Sequence, residues 1–184
     1  MKKTFNNVQN VEIFHDGRTY WISRSVAVVG IHIAVTKDGD YILVEKRSKN
    51  MDQPNKWSLP CGYLDWNENA YEAIIRETYE ETGWYIPDEP VPALFDNDCS
   101  PVLINTEPST DPKQNVSLIF LFVHDCRYGL PKIEDFTSSE VDKVKWLSFN
   151  DFYYDSYFLD SSNWAFNHEK RIRQIAQKYA HVIG

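Results

Sequence analysis

Residues 62–84 read Gly62-Tyr63-Leu64-Asp65-Trp66-Asn67-Glu68-Asn69-Ala70-Tyr71-Glu72-Ala73-Ile74-Ile75-Arg76-Glu77-Thr78-Tyr79-Glu80-Glu81-Thr82-Gly83-Trp84. The segment carries three carboxylates, Glu77, Glu80 and Glu81, at i, i+3 and i+4. Side chains three and four apart on an α-helix are surface neighbours, so these three converge on one patch. Two carboxylates about 4 Å apart, at an effective dielectric near 20, cost roughly 4 kcal/mol unless a cation lies between them. A hard divalent cation such as Mg²⁺ or Mn²⁺, which takes oxygen ligands, would turn that repulsion into a site. An acidic run is also the ordinary makeup of a solvated helix face, so the triplet alone leaves both readings open.

Local signals bound this helix. Asn69 can cap its start, with Glu72 three residues on reaching back as in a capping box. Gly83 stands where a left-handed C-cap is expected. At about 100° per residue, Tyr71, Ile74, Ile75 and Thr78 form a sector that should pack on a sheet. The same wheel points Glu77, Glu80 and Glu81 away from the sheet and sets Ala70 and Ala73 beside them, leaving room for a metal and a ligand. Arg76 stands one turn before Glu80 and one turn after Glu72, in reach for pairing with Glu80.

The spacing Gly62, five residues, Glu68, seven residues, Arg76-Glu77, two residues, Glu80-Glu81, one residue, Gly83 resembles the Nudix box, with all seven fixed positions matched. Thr78 departs from the aliphatic residue usual there, and Trp84 fills the last hydrophobic position with an aromatic. Upstream, Lys56-Trp57-Ser58-Leu59-Pro60-Cys61-Gly62 is similar to the family's strand into the box, with Cys61 in place of a glycine. The resemblance implies an α/β fold built on a mixed sheet, a Nudix-type α/β/α sandwich. It also implies hydrolysis of a nucleoside diphosphate linked to another moiety, with Mg²⁺ or Mn²⁺ as cofactor. The metal would be held by Glu77, Glu80, Glu81 and the Cys61 carbonyl. Glu80, Arg76 and Glu81 would be the catalytic group, with Glu68 in support; the proton acceptor is Glu80 or a loop carboxylate. Glu140, in a segment resembling the acidic run before the family's last strand, is the best loop candidate for the metal, ahead of Asp142, Glu134 and Asp135. Arg47, Tyr63 and Trp66 are candidate substrate contacts, against the plainer readings of an ion pair and buried aromatics. Pro101 stands near, not on, the position of a proline that ADP-ribose hydrolases of the family tend to carry, so the expected substrate is ADP-ribose-like or another small nucleotide. A binding or sensing module without turnover is the alternative.

Length and composition agree with one domain. The chain has 184 residues, 42% of them hydrophobic and 15% aromatic, enough for a sizeable core. Its 19 basic and 27 acidic residues give a net charge of −8, which argues against binding a nucleic-acid backbone and for a metal between protein and phosphate. Cys61, Cys99 and Cys126 are isolated, with no zinc-ligand spacing, as expected of free thiols in a reducing cytoplasm. Residues 1–7 lack the apolar core of a leader, and no stretch reaches a transmembrane length, so no membrane partner is expected.

Outward from the box, residues 11–15 and 18–22 flank Asp16-Gly17, a hairpin signal. Residues 1–24 thus read as an N-terminal β-hairpin extension, and as a possible homodimer contact, ahead of a domain over residues 25–184. Residues 26–35 form a long β-branched run, the mark of a central strand. Further strands are predicted at 41–47, 93–95, 102–105, 116–123 and 141–147, with irregular segments at 86–92 and 106–114. Ser148 is expected to cap a short helix, and a final helix to run from about 162 to 182. On it Trp164, His168, Ile172, Ile175 and Tyr179 share a stripe, which makes His168 a core-edge or capping histidine rather than a base.

Overall fold

The computed structural model describes residues 9–86, 99–107, 113–133 and 136–179. Strand β3 (Val26–Thr36) is the axis, with every residue from 28 to 34 buried. It runs parallel to β8 (Val116–Asp125) over ten register pairs and antiparallel to β4 (Gly39–Arg47). The sheet order is β5-β4-β3-β8-β7, with β5 at Trp57–Ser58 and β7 at Leu103–Asn105; β6 (Cys61–Tyr63) adds to β3 and β9 (Val141–Ser148) to β4.

Period-two alternation on β3 and β4 feeds two cores. Val29, Ile31 and Ile33, with Ile42 and Val44, join Phe152, Trp164, Ile172 and Ile175 from the chain's last third. Val28 joins Phe120, Ala73 and Ile74 beneath helix α1 (Ala70–Thr82). A sheet covered on both faces is the predicted sandwich. Helices α2 (Phe149–Tyr154), α3 (Ser156–Leu159) and α4 (His168–Lys178) complete it. Ser148 caps α2 through Asp151 N, as expected.

β3 and β4 pair only near their shared turn, from Ile33↔Ile42 to Thr36↔Gly39, and then part. The segment before the box fills the fork. Trp57–Ser58 pairs with β4, Cys61–Tyr63 with β3, and Gly30 N donates to the Pro60 carbonyl between them at 2.9 Å. The C-terminal half of α1 sits against this wedge.

The hairpin β1 (Val11–His15) and β2 (Arg18–Ile22) forms a separate two-stranded sheet. Asp16 (φ 49°) and Gly17 (φ 76°) both take the left-handed conformation that a two-residue hairpin turn demands. The expected strand at 93–95, and Glu134 and Asp135, lie outside the described residues.

Two expectations need correction. The final helix does not start near residue 162: residues 161–163 form one 3₁₀ turn, Trp164 is extended, and α4 begins at His168. The stripe still buries Trp164, His168, Ile172 and Ile175. Helix is interrupted because Trp164 bridges Trp57, Ala165 N donates to the Trp57 carbonyl at 2.8 Å, and Phe166 and Asn167 turn with φ of 54° and 57°. Ala73 is not beside the carboxylates either; it is fully buried with Val28 and Phe120, because the curved sheet embraces more of α1 than a flat wheel suggests.

Thr78 has a physical partner. Its hydroxyl donates to the Ile74 carbonyl at 2.7 Å and lies 3.0 Å from His32 Nε2, while His32 Nδ1 lies 3.3 Å from His124 Nε2. One direction of donation satisfies all three: His124 Nε2–H to His32 Nδ1, and His32 Nε2–H to Thr78. Burial holds His32 well below its usual pKa and His124 at about 4, so both rings are neutral at pH 7. An aliphatic residue at 78 would leave the buried His32 N–H unmet.

Candidate active site

The capping box forms as read: the Asn69 side chain accepts from Tyr71 N and Glu72 N, and Glu72 returns to Asn69 N at 2.8 Å. Gly83 closes the helix at φ 67°. Within this frame Arg76 organises the acids. Its Nε and Nη2 grip both oxygens of Glu68 at 3.0 and 2.7 Å. Nη1 donates to Glu77 Oε1 at 2.8 Å and Glu80 Oε2 at 3.0 Å, and Nη2 also reaches the Tyr63 carbonyl at 3.1 Å. Those hydrogen bonds pull the Glu68 carboxyl below its usual pKa.

Glu81 corrects the helical wheel. It points into the fork of the sheet and is only 5% exposed, with Oε2 accepting from Cys61 N at 2.7 Å. Burial, then the neighbouring Glu45, pushes its pKa well above the carboxylate range. Burial also raises Glu77. Gly62 explains how Glu77 fits: a Cβ there would lie 2.0 Å from Glu77 Oε1, so only glycine leaves the carboxylate its place. Cys61 behaves as a packing residue, its thiol pKa raised by burial.

Glu45 went unnoticed in the sequence because it sits inside an apolar strand. It is fully buried on β4, accepts from Ser58 Oγ at 2.8 Å through Oε1, and leaves Oε2 without a donor. Desolvation raises its pKa to about 7 from the usual 4.5. The folded, metal-free chain therefore keeps a proton that an unfolded chain loses near pH 4.5. Stability conferred by that proton is complete below pH 4.5 and is lost as pH climbs through 7. In chelator, the Tm of the wild type should fall relative to that of Glu45→Gln by several degrees between pH 5 and pH 8. A pH-independent difference would refute the shift.

A cavity of about 610 Å³ opens over this cluster, lined by Cys61, Gly62, Tyr63, Glu77, Glu80, Glu81 and Glu140, and by Arg47. That volume suits a small-molecule ligand. Sequence reasoning missed the opposite wall, where Asn105, Asn115 and Ser117 come from β7, β8 and the turn before β8. Arg24 positions that wall by donating to the carbonyls of Thr106, Asn115 and Gln114. Arg171 also lines the cavity, three residues after His168 on α4, a spacing that could have flagged it. Lys113 reaches Asp52 at 3.3 Å at the rim.

Arg47 is buried rather than surface-paired. Its Nε donates to the Asp52 carbonyl at 2.8 Å and its guanidinium lies 5.0 Å from the Phe166 ring centroid. His168 Nδ1 accepts from Leu59 N at 3.0 Å, and burial lowers its pKa to about 3, so it fastens α4 to the wedge as a neutral ring. Trp66 is not brought to the cavity. It is 84% exposed on a turn in which Asn67 takes φ 69° and Asp65 N donates to Glu68 Oε1 at 2.8 Å. Asp142 is exposed on β9 and does not line the cavity.

Among the described residues, no three histidine, cysteine or carboxylate side chains already form a metal cage. The donor set nevertheless fits a hard divalent cation. Glu77, Glu80, Glu81 and Glu140 line one cavity, Gly62 cradles Glu77, and the buried Glu45 Oε2 lacks a donor. No helix of the described residues is long and apolar enough to cross a membrane.

Comparison with known proteins gives a consistent picture. The NUDIX domain family model matches residues 24–170. Nudix hydrolase 19, chloroplastic, of Arabidopsis thaliana is 33% identical over 60 residues, covering 33% of this chain and 13% of that protein. The chain thus spans well under two thirds of that relative's length. A bifunctional NMN adenylyltransferase/ADP ribose pyrophosphatase from Francisella tularensis, crystallised with AMP and a Mn ion, superposes with a TM-score of 0.65 at 24% identity. That alignment covers 85% of this chain and 42% of that one. The NUDIX domain of Shewanella oneidensis NrtR, crystallised with ADP ribose, gives 0.57 at 20% identity over 86% and 90%. At these identities the structural likeness speaks for the fold.

Proposed function

The chain belongs to the Nudix family, and from that premise we propose that it is a divalent-cation-dependent pyrophosphohydrolase. Its substrate is a nucleoside diphosphate linked to another moiety, ADP-ribose-like in size. The observation that carries this reading is the Arg76 hub, which presents Glu77 and Glu80 to the cavity while Glu81 is buried at its floor. The catalytic domain is taken as residues 25–184, with residues 1–24 as an extension; the separate hairpin sheet supports that division.

Glu77, Glu80 and Glu81, with the Cys61 carbonyl and Glu140, would hold Mg²⁺ or Mn²⁺. Such an ion supplies charge neutralisation at the phosphoryl group and a lowered pKa for attacking water. The chain's own groups do the rest. Arg76 orients Glu80 by holding Oε2 at 3.0 Å, which leaves Oε1 to take the proton from water. Arg47 and Arg171 supply positive charge along the cavity for the phosphates, and Tyr63 lines its mouth. Arg171 comes from α4 rather than from the box helix and suits the phosphate that is not attacked.

A panel of ADP-ribose, NADH, nucleotide sugars, dinucleoside polyphosphates and nucleoside triphosphates, with Mg²⁺, should yield nucleoside monophosphate from at least one linked diphosphate. A chelator should abolish that turnover. A binding-only reading draws on the NrtR structure with ADP ribose; tight binding without turnover across the panel would favour it and overturn the hydrolase.

A further inference from the structure

We propose that Glu45 is a ligand of the divalent-cation site, a carboxylate that reaches Glu81 from the sheet rather than from the box helix. The proposal rests on the reading of Glu77, Glu80 and Glu81 as cation ligands, and adds a residue outside the box to them.

Its position is set by the fork between β3 and β4. Glu45 pairs in register with Ser58 on one side and Val144 on the other, so its backbone is fixed from both flanks. Ile42 and Val44 face the core under α4, and alternation therefore turns Glu45 to the face that carries α1. There it neighbours the Glu81 carboxyl, whose charged form is disfavoured by burial and then by Glu45 itself. Ser58 Oγ donates to Oε1 at 2.8 Å, which leaves Oε2 as the oxygen open to a ligand. Glu45 is fully buried, and Oε2 meets no donor.

A buried acid kept for structure would be matched by donors. Here the nearest cation is Arg47, whose Nη1 lies 4.0 Å from Oε1, beyond hydrogen-bond reach. Arg47 is also committed elsewhere, to the Asp52 carbonyl and the Phe166 face. Two carboxyls therefore lie next to each other, Glu81 at the floor of the cavity and Glu45 behind it, with Ser58 and Cys61 N as their hydrogen-bond donors. A divalent ion seated between Glu45 Oε2 and Glu81 satisfies both, and hard cations accept just such oxygen sets. Glu45 lies one layer behind the cavity wall, so this ion would be the deeper one if the site holds more than one.

The test is Mn²⁺ binding by the full chain, followed by electron paramagnetic resonance, together with the anomalous-scattering map of a Mn²⁺-soaked crystal of the wild type. Glu45→Gln preserves volume and the Ser58 bond and removes only the charge; its Mn²⁺ Kd should rise at least tenfold, and the map should show Mn at ligand distance from Glu45 Oε2. Glu45→Asp, which keeps the acid but withdraws it by a methylene, should weaken binding too and serves if the Gln variant does not fold. The proposal is overturned by a Kd within twofold of wild type. It is equally overturned by a Mn peak on Glu77 and Glu81 that lies away from Glu45, because Glu45 would then act only through its neighbour. Either result leaves the box ligands standing. A wild-type chain that binds no Mn²⁺ up to millimolar concentration would remove the cation site itself, and this proposal with it.

Discussion

Glu81→Gln should give a folded chain whose kcat, at saturating Mg²⁺, is lower by a factor of about 1,000 or more, or roughly 4 kcal/mol of transition-state stabilisation. The side chain is 5% exposed, so its charged form would stand out of water. One hydrogen bond, from Cys61 N at 2.7 Å, and a like-charged neighbour, Glu45, do not compensate that desolvation. The metal-free carboxyl is therefore held toward its protonated form, and a cation that paired with it would restore the charge. Glutamine keeps the volume and an oxygen for the Cys61 N–H, so the metal-free variant should melt at the wild-type temperature or above it. Opposite signs for activity and stability separate this outcome from misfolding. A variant that retained a tenth of the wild-type rate would show that the Glu81 carboxylate takes no part in the chemistry.

Features set by neighbours in sequence were legible before the structure. The Asn69–Glu72 capping box, the left-handed Gly83, the Asp16-Gly17 turn and the buried run of β3 all depend on residues a few positions apart. The Nudix spacing is also local, since it lies within one loop and one helix. Features set by tertiary packing were not. Nothing in Leu43-Val44-Glu45-Lys46 says that the strand leaves its partner and brings a carboxylate against α1; that follows from the wedge at 57–63. The wheel erred on Ala73 and Glu81 for the same reason, because it assumes a flat surface and α1 lies on a twisted sheet with a cleft in it. Hydrophobic periodicity overextends the last helix because it passes unbroken through residues 164–167, where backbone pairing with Trp57 overrides it. The Asn105, Asn115 and Ser117 wall is assembled from β7, β8 and the turn between them, and no motif announces it.

Gly62→Ala should cost about 100-fold in kcat while moving Tm by no more than a few degrees. The glycine is paired with Val28 in the β3–β6 ladder and is not among the residues with positive φ, so alanine can take its backbone conformation. What alanine cannot take is the space. Its Cβ would stand 2.0 Å from Glu77 Oε1, 2.1 Å from Cδ and 2.4 Å from Oε2, so the carboxylate must swing away. Glu77 shares Arg76 Nη1 with Glu80, and the same guanidinium holds Glu68 and the Tyr63 carbonyl. Displacing Glu77 therefore shifts Glu80 along with the proposed cation ligand Glu77 itself, and misplacement by about 1 Å is enough to cost on the order of 100-fold. Most of the stability is untouched, since Glu77 contributes nothing to either apolar core. The Mn²⁺ Kd should weaken in parallel with kcat. An alanine variant with wild-type kcat and Kd would mean that Glu77 works from another position, and that the contact with Gly62 is incidental to the site.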